Sequence, residues 1–246
     1  MATIEIYNSE FAKSCILCGA ELTKLDEPIK THCDHCGKTG EVEWQCVEGH
    51  NICKECMKLD AIDFIKQKCL NYKGNDPMEL AVDIMNSPVI RMHGPEHHFI
   101  VPAVMTTCIH NEKRDRNNLS EKLDIAEKRA QTETPNHCTY KIGTCGAALG
   151  TGVFVSMLLD RPPEAEDAWS PTNLVVAESL KNVAASEGPR CCKRDTYIAI
   201  ESAVEFLKER FAIDLPMSKG KCTFSVRNRT CGHEECEYYS ISNSLV

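Results

Sequence analysis

After residue 58, apolar residues recur at helical spacing along most of the chain. Leu59, Ile62, Ile65 and Cys69 share one face, as do Met78, Leu80, Ile84 and Met85, which predicts short helices near 59–70 and 77–86. The segment HGPEHHFIVPAVMTTCI predicts a third helix, opened by Gly94 and Pro95 with Glu96 at its positive end, and kinked or restarted at Pro102. NLSEKLDIAEKRAQTE alternates its charges after Ser120 and reads as a helix with a solvated face. In GTCGAALGTGVFVSMLLD small residues precede an apolar run, a pattern that lets another backbone or a cofactor come close. SPTNLVVAESLKNVAASEG predicts a capped amphipathic helix stopped by Gly188, and DTYIAIESAVEFLKERF another with Asp195 as its N-cap. The fold class expected is mainly α.

The 246 residues can bury a core without staples, yet they include 16 cysteines. The opening MATIEIYNSEFAKSC lacks the basic-then-apolar pattern of a secretory leader, so a cytoplasmic chain is expected. There, dense cysteine means metal ligation or thiol chemistry, because ordinary disulfides are kept reduced. A net charge of −8, with cations interspersed among acids, argues against a nucleic-acid partner. The longest apolar run, around Val153 to Leu159, is too short to cross a bilayer, so no membrane partner is expected.

The cysteines divide the chain into residues 1–58, a zinc-binding module; 59–215, an α-helical domain; and 216–246, a cysteine-rich tail. In the module, Cys15-x2-Cys18, Cys33-x2-Cys36, Cys46-x3-His50 and Cys53-x2-Cys56 are four ligand pairs, enough for two tetrahedral zinc sites. Interleaved pairing would make a RING-like cross-brace, and sequential pairing two zinc ribbons; the spacing admits both. Gly19 and Gly37 follow two of the pairs, where a tight turn needs positive φ. Such a module can be a stapled mini-domain without chemistry. If it recruits a protein partner, Trp44, Val47 and Ile52 are the apolar residues between ligand pairs that could serve. In the tail, Cys222, Cys231, His233 and Cys236 either close a further zinc site or fold back to join an iron–sulfur site in the central domain.

Cys145 sits at the mouth of an expected helix, whose positive end favours a thiolate. Cys191 and Cys192 lie between two expected helices beside Arg190, Lys193 and Arg194, which favour thiolates by charge. The plainer reading makes all three buried small hydrophobes. His93 and His97 stand four apart, on one face if helical, with His98 adjacent; they suit metal ligation or proton transfer near neutral pH.

The order HGPEHHFIVPAVM, GTCGAALGTGVFVSMLL and then GPRCCKRDTYIAIESA, over about residues 90 to 211, resembles the iron–sulfur L-serine dehydratase α-chain, whose relatives include cysteine desulfidases. With its cysteine-rich flanks the chain also resembles a cysteine-rich family of anaerobic archaea and bacteria. The resemblance implies a [4Fe–4S] cluster on Cys145 with Cys191 and Cys192, leaving one iron open to substrate. Because Cys191 and Cys192 are adjacent, Cys108 or Cys138 is an alternative ligand. The function expected is a non-redox lyase or sulfur-transfer reaction on a small hydroxyl- or thiol-bearing substrate. His93, His97, His98 or Lys193 would move the proton and Arg190 or Arg194 would hold a carboxylate. A second protomer could cover the site. The alternative is a zinc-binding interaction or redox-sensing module without catalysis, and a third is metal-free thiol catalysis by Cys191 or Cys192.

Overall fold

A computed structural model describes residues 14–133, 143–161, 165–225 and 228–240. Two antiparallel strands, β1 (Leu22–His32) and β2 (Thr39–Cys46), pair from Leu22 with Cys46 to His32 with Thr39, with an irregularity between Lys24 and Ile29. Seven α-helices follow among the described residues: α1 (Ala61–Asn71), α2 (Pro77–Asn86), α3 (Glu96–Glu112), α4 (Leu119–Lys128), α5 (Gly146–Leu159), α6 (Glu166–Ala185) and α7 (Cys192–Phe211). The protein is mainly helical, as the periodicity predicts. Asp60 and Asp76 cap α1 and α2, each carboxylate accepting two backbone N–H bonds.

The long helix α3 is the centre of the domain. Every residue from Glu96 to Ile109 is buried, and α1, α2, α4, α5 and α7 all pack on it. It runs unbroken through Pro102, so the helix does not restart there. Proline has no N–H for the His98 carbonyl, and its ring crowds the preceding turn. Gly150 of α5 lies against that turn: a Cβ at this position would stand 3.0 Å from both the His98 carbonyl oxygen and Pro102 Cδ. The small-residue run thus admits a neighbouring backbone, one of the two uses its sequence suggests.

Two other boundaries differ from expectation. The helix α7 begins three residues before Asp195, with Cys191 as N-cap, so Asp195 lies in the first turn. The helix α6 begins at Glu166 and carries Pro171 inside it; Gly188, at φ +74°, lies just past its end.

The N-terminal strands dock on α1 and α2. Ser87 donates its hydroxyl to the Ile16 carbonyl, Asn71 donates to the His35 carbonyl at 3.3 Å, and the His35 ring stacks on Phe64 at 4.7 Å. Among the described residues no helix is long and apolar enough to cross a membrane.

Candidate metal centres and a junction of three helix starts

The four N-terminal ligand pairs assemble crosswise. Cys15, Cys18, Cys46 and His50 form one quartet and Cys33, Cys36, Cys53 and Cys56 the other, with the ligand atoms of each within 4.8 Å of one another. Within them, Cys15 Sγ lies 3.8 Å from His50 Nδ1, Cys18 Sγ 3.5 Å from Cys46 Sγ, and Cys36 Sγ 3.9 Å from Cys53 Sγ. Tetrahedral thiolates around one zinc ion stand ~3.8 Å apart, so each quartet is spaced for a single ion. Gly19 (φ +80°) and Gly37 (φ +73°) make the turns after Cys18 and Cys36, as the sequence predicts. Backbone N–H groups of Glu48 and Cys53 donate to Cys46 and Cys33 Sγ, each at 3.4 Å. Burial pushes the Cys15 thiol up to about 12 and that of Cys53 up to about 11, so a bound cation is what would favour these thiolates.

A third set of cysteines is built from distant segments. Cys191, at the start of α7, lines a solvent-open hollow together with Cys222, Cys231 and Cys236 of the tail. The hollow holds about 460 Å³ of empty space including its mouth. The Phe224 N–H donates to Cys222 Sγ and the His233 N–H to Cys231 Sγ, each at 3.4 Å, the same two-residue turn that Glu48 makes on Cys46. The Asn228 amide reaches Cys191 Sγ at 3.8 Å. Burial pushes the Cys191 thiol up to about 11.

Beside the hollow, the first turns of α3, α5 and α7 meet. His98 of α3 is 3% exposed and lies against Gly146, the first residue of α5, where any side chain would collide with the imidazole. Among the described residues its Nδ1 has no hydrogen-bond partner. Cys145, the N-cap of α5, places Sγ 4.0 Å from the Asp195 carboxylate of α7. Burial raises Asp195 above the usual carboxylate range, opposed by the Arg194 guanidinium at 3.1 Å. Arg190 donates to Cys192 Sγ at 3.4 Å. Burial, with the Arg190 charge nearby, holds His93 and His98 below the usual imidazole range.

The sequence-derived residues therefore separate. His97 is a core residue: its Nε2 lies 3.0 Å from the Arg91 carbonyl and its Nδ1 3.0 Å from the Thr196 hydroxyl. Burial, then the Lys193 charge, lowers it to about 3, so it stays neutral and does not exchange protons near neutrality. His93 precedes α3 and does not share a helix face with it. Lys193 is 2% exposed, donates to the Met85 and Ile90 carbonyls, and lies over the Phe224 ring. Cys108 is sealed in the core near Cys69, and Cys138 and His137 lie outside the described residues. Cys145, Cys192 and His233 do not line the hollow that Cys191 shares with the tail. Asp195, read from sequence as a cap, is a member of the junction.

The fold and sites define a cysteine-rich, mainly helical protein with two quartets that could each hold a metal ion. Residues 65–239 match the family of unknown function DUF5714, and the chain belongs to that family. The matched span begins after the last N-terminal cysteine and includes the junction and all four cysteines of the hollow. Neither the curated proteins nor the solved structures searched give a match.

Proposed function

We propose that the chain is an iron–sulfur-dependent enzyme with a zinc-held N-terminal module, catalysing a non-redox lyase or sulfur-transfer reaction on a small hydroxyl- or thiol-bearing acid. The observation that carries this reading is the junction, where three helix starts gather Cys145, His98 and Asp195 beside Arg190 and Arg194. Positive helix ends and two guanidinium groups favour an anionic substrate. His98, whose Nδ1 has no hydrogen-bond partner among the described residues, can take or give a proton. Cys145 can act as a thiolate at the start of α5. A bound metal centre would supply Lewis acidity to the leaving hydroxyl or thiol. Zinc suits both quartets, one of three cysteines with a histidine and one of four cysteines, in ligand type and spacing.

The test is turnover by anaerobically purified, metal-replete protein on a panel of hydroxyl- and thiol-bearing amino and carboxylic acids, with release of oxo acid, ammonia or sulfide as the readout. His98→Gln should reduce turnover about 100-fold or more. No turnover and no binding across the panel would sink the reading.

A zinc-dependent interaction module is the second reading, and Val47, 59% exposed between two ligands of one quartet, favours it. Ile52 is buried and Trp44 half-buried, which leaves this reading little apolar surface.

A further inference from the structure

The hollow between α7 and the tail is more than a gap in the packing. Its four cysteines come from residues 191, 222, 231 and 236, segments far apart in the chain. Two observations connect them to metal rather than to ordinary burial. Cys222 and Cys231 each accept a backbone N–H from the residue two positions on, as Cys46 does in the first quartet. Such bonds aim a sulfur and stabilise it as a thiolate. Moreover, Cys222, Cys231 and Cys236 are half-buried, and the wall between them is aromatic, with Tyr197, Tyr238 and Tyr239 lining the same space.

The spacing then selects the kind of metal group. Among the described residues, only the two N-terminal quartets bring three or more ligand atoms within 4.8 Å of one another. The four sulfurs of the hollow are thus not drawn into a set as tight as those two quartets. A four-iron cluster, ligated by four thiolates at its corners, needs that wider ring. Such a four-thiolate cluster is an anion, and the hollow supplies positive charge to meet it. Lys193 lines the wall together with Arg194, which is ion-paired with Asp195, and Cys191 stands at the positive end of α7.

We infer that Cys191, Cys222, Cys231 and Cys236 together ligate one [4Fe–4S] cluster, each thiol giving up its proton as it binds. This rests on the reading of the helical domain as an iron–sulfur domain for the identity of the metal, and it changes that reading's ligand set. Cys145 and Cys192 are released from ligation, which leaves Cys145 to serve at the junction. With four thiolates every iron is coordinated by protein, so Lewis acidity toward the substrate of the proposed reaction would require the substrate to displace one thiolate.

The experiment is iron, acid-labile sulfide and zinc analysis with visible absorption, on the full chain purified without oxygen and on single variants. The wild type should hold about four irons and four sulfides beside about two zincs. Cys191→Ser, Cys222→Ser and Cys236→Ser should each lose most of the iron and sulfide while keeping both zincs, which shows that the module still folds. Cys145→Ser and Cys192→Ser should keep the cluster. A third zinc with no labile sulfide after anaerobic reconstitution would overturn the metal assignment. Cluster loss in Cys145→Ser, with retention in Cys222→Ser and Cys236→Ser, would overturn the ligand set. A cluster on these four cysteines in a protein that turns over none of the panel would leave this inference standing and remove the lyase reading alone.

Discussion

His97 Nδ1 and the Thr196 hydroxyl lie 3.0 Å apart and tie α3 to α7 inside the core. Nε2 faces the Arg91 carbonyl and so carries the proton of the neutral ring, while Nδ1 contacts the Thr196 hydroxyl, which itself lies 2.8 Å from the Cys192 carbonyl. The pair holds the two helices whose first turns form the junction. Its worth to the fold depends on pH, with a definite sign. The folded imidazole is lowered to about 3 from an ordinary value of 6.5, so below 6.5 the unfolded chain takes up a proton that the native state refuses. This contribution is whole above pH 6.5 and is lost as pH falls toward 3. His97→Gln should cost about 1–3 kcal/mol at pH 7. The cost should shrink by about 2 kcal/mol at pH 5, since the variant has no group to protonate. Urea unfolding of both proteins at the two pH values checks this; a cost that grows toward pH 5 would contradict it.

Lys193 is a stability residue. Its ammonium donates to the Met85 carbonyl at 2.7 Å and the Ile90 carbonyl at 3.3 Å, where α2 ends and the chain turns toward α3. Lys193→Met should leave those carbonyls without their donor and lower stability by about 1–3 kcal/mol. Urea unfolding of the variant checks this; a selective loss of turnover at full stability would return Lys193 to the chemistry.

Metal removal should act first on the N-terminal strands. Structural zinc supplies about 10–16 kcal/mol in small zinc-binding peptides. A chelator that extracts about two zincs should therefore abolish the β1–β2 pairing, read by amide exchange. Protection in α3 should persist, because its core contacts lie within the helical domain. Cys36→Ser should bind at most about one zinc.

Gly150 should tolerate no side chain. A methyl group there would press on the His98 carbonyl and Pro102, and Gly150→Ala should cost about 1–3 kcal/mol. Gly40, with nothing within 4 Å of its would-be Cβ, is the control; Gly40→Ala should be close to neutral in thermal unfolding. Equal effects at the two positions would refute the close approach of α5 to α3.

What could be read from the sequence followed from local rules. The apolar spacing places α1 and α2 within two residues of their observed starts, and the knuckle glycines announce their positive φ. The path of α3 through Pro102 is not local, since it depends on the glycine of a helix far along the chain. Quartet pairing is equally hidden, because C-x2-C knuckles have the same spacing in either arrangement. His97 and Lys193 look chemical in a string of letters, and only burial against carbonyls and a hydroxyl makes them structural. The grouping of Cys191 with the tail could have been suspected by counting. The tail has three cysteines, and its His233 is too close to Cys231 for an ordinary knuckle, leaving one ligand to be found elsewhere.

The crossed pairing of the quartets interlocks the N-terminal module. Each quartet opens before the other has closed, so a cut anywhere between Cys36 and Cys46 leaves two halves and no complete site. A chain truncated there forfeits both ions together, whereas one that ends just past His50 still carries the whole first quartet. During synthesis the two sites are completed almost at once, by His50 and then by Cys56, so the module passes from no finished site to two as its last turn emerges.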